Sequence, residues 1–191
     1  MDSYKISLLG EITVGKSTLV AYLKKNVFIP ELDSTIGMHF MPLKYKDIQL
    51  NLWDTSGQER YQNITKLYYR NSVVIMLVYD LANNFESGLK YYLEEIKINT
   101  DNYKILLIGN KKDLIDDNNI VNIDNKVNDI IKNCDLQDKI LDHVKISCKN
   151  LEGRDIILDK LYNYCKNNYI AIEEPIIILN NDNVTSSYCS C

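Results

Sequence analysis

The chain has 191 residues, of which 46% are hydrophobic and 25% charged, and it carries a net charge of −4 at pH 7. This suits one globular domain with a tail and enough apolar surface for a substantial core. The acidic balance argues against general nucleic-acid binding, and no apolar run reaches the length of a transmembrane helix.

Apolar runs alternate with helix-like stretches along the chain. Strands are predicted near residues 4–9, 38–45, 48–53, 73–79, 103–108 and 142–146, and helices near 16–25, 61–71, 86–99, 123–133 and 152–167. The βα order predicts an α/β fold, a mostly parallel six-stranded sheet with helices on both faces. Only Lys46 and Asp47 separate the second and third strands, so these form a tight antiparallel hairpin. In the last helix, Ile157, Leu161, Tyr164 and Cys165 recur at helical spacing and are expected to face the sheet. The globular part is taken as residues 1–167, with 168–191 as a tail.

Motifs fall at the carboxyl ends of these strands. Gly10-Glu11-Ile12-Thr13-Val14-Gly15-Lys16-Ser17 joins the first strand to the first helix as G-x-x-x-x-G-K-[ST]. In that setting, backbone N–H groups from Gly10 to Thr18 point at phosphate oxygens and the helix dipole favours the anion. Lys16 then meets the β- and γ-phosphates, and the Ser17 hydroxyl ligates Mg²⁺. Asp54-Thr55-Ser56-Gly57-Gln58-Glu59-Arg60 follows the third strand, placing the Asp54 carboxylate near the metal and Gly57 near the γ-phosphate. Asn110-Lys111-Lys112-Asp113 follows the fifth strand. The Asp113 carboxylate can accept hydrogen bonds from the N1–H and 2-amino group of guanine, which adenine does not offer. Asn110 can contact the ring edge and the Lys111 stem can cover the ring face. In Ser147-Cys148-Lys149, after the sixth strand, backbone N–H groups can meet the guanine carbonyl.

Together and in this order, these segments resemble the five G-motifs of small GTPases, most closely the Rab branch. Thr35-Ile36-Gly37-Met38-His39-Phe40 is similar to the first switch of that family, and Trp53 with Arg60-Tyr61-Gln62-Asn63-Ile64-Thr65 to its second. Tyr68-Tyr69-Arg70-Asn71-Ser72 and Val78-Tyr79-Asp80-Leu81 match two further Rab signatures. The resemblance implies a P-loop G-domain that binds GTP or GDP with Mg²⁺, the metal being held by Ser17, Thr35 and Asp54. It implies that Gln58 orients the attacking water, Lys16 stabilises charge, and Phe28 lies against the guanine edge. It implies that Ile36, Phe40, Trp53 and Tyr68 face effectors. Exchange factors, activating proteins, a dissociation inhibitor and a prenylation escort protein are the further partners that it implies.

The terminal Cys189-Ser190-Cys191 resembles the doubly prenylated end of Rabs, which implies a lipid-anchored protein on the cytoplasmic face of an intracellular membrane, cycling with cytosol. Residues 168–191 contain no Lys or Arg, so lipid chains rather than charge would make that contact. The odd count of five cysteines, without a signal peptide, fits reduced thiols. Pro175-Ile176-Ile177-Ile178-Leu179 is an apolar patch in the tail with two open readings, a docking segment for the escort or packing on the domain.

Three departures from the family pattern stand out. Ile12 occupies a loop position where the family carries a small residue, and its β-branched side chain is expected to crowd Gln58, the water and an activator's arginine. Slow hydrolysis follows, and in the limit a largely GTP-locked membrane scaffold is the alternative reading. His39 replaces an acidic residue and is expected to face solvent. The interval from Asn110 to Ser147 is longer than usual, with the surplus placed on the surface near Asp116–Asn119 or Asp135–Asp138. A small-molecule kinase is disfavoured, because Asn110-Lys111-Lys112-Asp113 selects guanine and no lid over a second substrate is evident.

Overall fold

The computed structural model describes residues 1–30, 32–58 and 62–168. In chain order these form β1 (Asp2–Leu9), α1 (Lys16–Lys25), β2 (Met38–Tyr45), β3 (Ile48–Thr55), α2 (Gln62–Tyr69), β4 (Val74–Asp80), α3 (Glu86–Asn99), β5 (Lys104–Asn110), α4 (Ile120–Asn133), β6 (Ile140–Lys145) and α5 (Arg154–Asn168). The six strands make one sheet in the order β2-β3-β1-β4-β5-β6. Only β2 runs antiparallel to its neighbour.

Strand alternation sends side chains to two cores. Ile6, Leu8, Val74, Met76, Leu106 and Ile108 pack with Leu19 and Leu23 of α1 and with Ile157, Leu161 and Cys165 of α5. On the opposite face Ile75, Leu77, Ile105 and Leu107 pack with Leu89, Leu93 and Ile96 of α3 and Val127 and Ile131 of α4. Every residue of β4 is buried, as a central strand covered on both faces requires. The expected sheet-facing residues of α5 are buried, with Tyr164 partly covered against the same core.

The β2–β3 turn is as short as the sequence implies, with Lys46 in the left-handed region at φ 52. It is held to α5 by Tyr45 donating to Asp159 at 2.8 Å and by Lys166 pairing with Asp47 at 2.8 Å. Between Asn110 and Ser147, both expected surface segments carry short 3-10 turns, at Asp117–Asn119 and Gln137–Lys139. Strands run further than their apolar patterns suggest: β1 begins at Asp2, and β3 continues to Thr55, β4 to Asp80 and β5 to Asn110. Helix α4 begins at Ile120, three residues earlier than the pattern indicates.

Candidate nucleotide-binding site

The carboxyl ends of β1, β3 and β5 deliver the motifs to one end of the sheet, the position where open α/β sheets bind ligands. The loop after β1 wraps Lys16, which is 6% exposed and donates to the carbonyls of Gly10 at 2.8 Å and Glu11 at 2.7 Å. Burial lowers the Lys16 pKa to about 8, opposed by the charges of Asp54 and Glu11. Thr13 adopts a left-handed φ of 64, and α1 starts beside Gly15 at φ 96. A Cβ on Gly15 would stand 2.4 Å from the Asn110 amide nitrogen, so only glycine lets that amide reach the loop.

Three oxygens meet beside this loop. Ser17 Oγ donates to Asp54 Oδ2 at 2.6 Å and lies 2.7 Å from Thr35 Oγ1. Thr35 Oγ1 also donates to Asp54 Oδ2, at 3.2 Å. Asp54 is 2% exposed, and its Oδ1 is buried without a hydrogen-bond partner. Burial raises the Asp54 pKa, while its bonds from Ser17 and Thr35 and the charge of Lys16 act the other way. A buried carboxylate oxygen left unpartnered beside two hydroxyls is a hard oxygen donor set, which fits a magnesium ion. A cleft of about 280 Å³ opens here, lined by Ile12, Lys16, Ser17, Thr35, Gly57 and Gln58 among others. Two larger grooves, near Asn83 and Lys126 and near Lys5 and Arg70, lie away from this constellation.

The segments expected to read the base are tied to each other and to the phosphate loop. Asn110, 3% exposed, donates through Nδ2 to the Val14 carbonyl at 2.9 Å, and its Oδ1 accepts from the Cys148 N–H at 3.3 Å. The hydroxyl of Ser147 donates to Asp113 Oδ1 at 2.5 Å and accepts from the Asn150 N–H at 3.0 Å. Lys149 is largely exposed, its Nζ 4.0 Å from Asp113 Oδ2. Burial raises the Cys148 thiol pKa to about 12, so the group is an unreactive packing atom at neutral pH. Lys111 takes φ 64 and pairs with Asp80 Oδ2 at 2.7 Å. Asp80 also accepts from Ala82 N–H and Asn83, so this carboxylate fixes the lysine whose stem would cover the base. Its role as an anchor was not assigned from the sequence; a carboxylate ending an apolar strand was the available signal.

Residues flanking the cleft are more exposed. Phe28 lies in the loop after α1 and is 38% exposed, and Ile36 is 76% exposed. Phe40 and Trp53 meet edge-on with ring centres 5.3 Å apart, and Trp53 stacks with Tyr68 at 6.3 Å. Lys5 Nζ lies 4.8 Å from the centre of the Trp53 ring, extending that aromatic row with a cation that the sequence did not single out. His39 is exposed on β2, as expected of a solvent-facing strand residue. Glu59–Tyr61, Pro175–Leu179, Cys189 and Cys191 lie outside the described residues.

Comparison with known proteins places this arrangement. The model of the Ras family matches residues 5–165. Ras-related protein Rab-11A of Dictyostelium discoideum is 43% identical over 117 residues, covering 58% of this chain and 55% of that protein. Ras-related protein RABA4b of Arabidopsis thaliana is 42% identical over 120 residues, covering 59% and 53%. Ras-related protein rab-11.1 of Caenorhabditis elegans is 40% identical over 117 residues, covering 58% and 56%. The chain spans about half the length of the curated relatives it matches. Because the family's pattern extends from within β1 almost to the end of α5, the chain belongs to the Ras family, and the relatives it resembles are Rab proteins.

Proposed function

We propose that this chain is a Rab-like small GTPase, a switch that binds GTP and GDP with Mg²⁺, hydrolyses GTP, and in its GTP state recruits effectors to an intracellular membrane in vesicle traffic. The observation that carries this reading is the meeting of Ser17, Thr35 and the half-partnered Asp54 carboxylate beside Lys16. Magnesium, when bound there, supplies charge neutralisation on the transferring phosphoryl group. The chain's own residues hold and orient the substrate. Lys16 and the loop N–H groups stabilise the phosphates, Asp113 selects guanine, and Gln58 orients the attacking water by its match to the family glutamine.

The switching reading is supported by how the two segments flanking the cleft are tied together. Thr35 reaches the Ser17–Asp54 pair, and the Ser56 N–H donates to the Gly37 carbonyl at 2.9 Å. Both segments therefore depend on what occupies the cleft, and loss of a γ-phosphate removes a shared anchor. The partly exposed Phe40–Trp53–Tyr68 row, spanning both, supports effector recognition. Exchange factors, activating proteins, a dissociation inhibitor and an escort protein are proposed from the family alone. Among the described residues no helix is long and apolar enough to cross a membrane. Prenyl chains on Cys189 and Cys191 are the proposed anchor.

The GTP-locked scaffold reading gains no support from the relatives or from the site. Ile12 is 48% exposed and lines the same cleft as Gln58. Slow turnover remains the proposed consequence. Single-turnover hydrolysis of bound GTP tests this. Gln58→Leu is expected to slow the rate at least tenfold, about 1.4 kcal/mol in activation free energy, and Ile12→Ser to raise it several-fold. Hydrolysis indifferent to both changes would remove the proposed mechanism.

A further inference from the structure

The Glu11 side chain takes no part in the chemistry above, yet three elements meet at this residue. Its backbone carbonyl accepts from Lys16 Nζ at 2.7 Å. On one side the peptide is pressed against Gly57. A Cβ on that glycine would stand 2.5 Å from the Glu11 carbonyl carbon and 2.6 Å from both the Glu11 oxygen and the Ile12 nitrogen. On the other side the Glu11 side chain crosses to α3, where its carboxylate lies against Gly88, the buried third residue of the helix. A Cβ on Gly88 would fall 2.4 Å from Glu11 Cδ and 2.6 Å from each carboxylate oxygen.

A glycine inside a helix is a poorer choice than alanine unless its missing side chain is needed. Here the missing side chain is the space that the Glu11 carboxylate occupies. The Glu11 charge also acts on both neighbouring elements: it favours the ammonium form of Lys16, and on α3 it adds to the burial that raises the Tyr92 hydroxyl pKa.

We propose that Glu11 is a positioning residue: Gly88 seats its carboxylate on α3, and this brace fixes the peptide shared by Lys16 and Gly57, setting how long a nucleotide polyphosphate is held. The inference rests on the reading of the chain as a guanine-nucleotide switch. It makes α3 a lever on nucleotide release, because any contact that shifts the first turn of that helix shifts the phosphate loop.

The test is a double-substitution cycle read by dissociation of fluorescent GDP from the full chain, alongside thermal melting of each variant. Gly88→Ala is expected to speed release about tenfold by displacing the carboxylate. Glu11→Gln, which keeps the shape, is expected to stay within about threefold of the unmodified chain. The pair Glu11→Ala with Gly88→Ala is expected to match Glu11→Ala alone, since the clash has been removed. A merely structural glycine would give the opposite pattern: higher melting with Gly88→Ala and unchanged release. Unchanged release in Gly88→Ala, or a double variant showing the full product of both single effects, would overturn the inference. Should Gly88→Ala fail to fold, the double variant decides: it must fold and release GDP like Glu11→Ala. Absence of guanine-nucleotide binding by the unmodified chain would remove the functional reading and this inference together; binding with unaffected rates would remove the inference alone.

Discussion

Lys16 is a cation stored in a buried place, held by two loop carbonyls instead of by water. Its pKa of about 8 lies below the ordinary lysine value of 10.5, so in the folded chain without nucleotide the ammonium is lost earlier than in the unfolded chain. Between those two values the unfolded chain binds more protons, and the cost of burying this charge falls as pH rises. The proposed contact of Lys16 with the phosphates needs the ammonium and therefore runs the other way. From the fraction protonated, GDP affinity is expected to fall about fourfold between pH 7 and 8.5, below the range where guanine itself titrates. Lys16→Met is expected to bind far more weakly and with a flat profile over that range; equal slopes for both proteins would exclude Lys16 as the titrating group. The lysine, its loop and the strand-end positions of Asn110 and Asp113, proposed to read the base, were legible in the sequence because the G-x-x-x-x-G-K-[ST] and Asn-Lys-Lys-Asp spacings follow apolar strands. Asp80 and the Glu11–Gly88 seat were not, since each depends on a partner distant in sequence.

At the scale of elements, alternation and helical spacing located all six strands and five helices, because two-sided burial forces those periods. The strand ends were read too short. Asp54, Thr55 and Asn110 are polar and resemble turn residues, yet Thr55 pairs with Met38 and Asn110 with Asp80 in register. The strands themselves deliver these side chains to the site, so the local apolar pattern breaks where function begins. One polar cluster between elements gives a pH signature. His143 on β6 sits with its Nε2 2.5 Å from the Tyr79 hydroxyl of β4 and its Nδ1 3.2 Å from Asp124 of α4, which also pairs with Lys145 at 2.7 Å. Burial lowers the His143 pKa to about 4, assisted by Lys145 and opposed by Asp124 and Asp142. The imidazole is therefore neutral at pH 7. Its contribution to stability is complete above about pH 6.5 and is lost as pH falls toward 4, where the unfolded chain takes up the proton first. The melting temperature is expected to drop over that window, and to drop less in His143→Gln; equal slopes would place the acid sensitivity elsewhere.

For the whole molecule, the two cores form a rigid frame and the functional groups sit in segments joined to it at few points. Among the described residues, Ser56 to Gly37 and Thr35 to Ser17 and Asp54 link these segments across the cleft, and Lys16 ties the phosphate loop to itself. A ligand that engages all of them also stabilises the fold, by about 4 kcal/mol at a thousand times its dissociation constant. We propose that the carboxyl end of the sheet reads a guanine nucleotide beside a metal-assisted phosphate site. The most direct measurement is the affinity for GDP and for ADP, each with Mg²⁺ and after its removal by a chelator. GDP is expected to bind at least a thousandfold more tightly than ADP, as a site built to hydrogen-bond the guanine N1–H and amino group requires, and to weaken markedly on chelation. Equal affinity for the two nucleotides, or GDP binding unaffected by the chelator, would contradict the account.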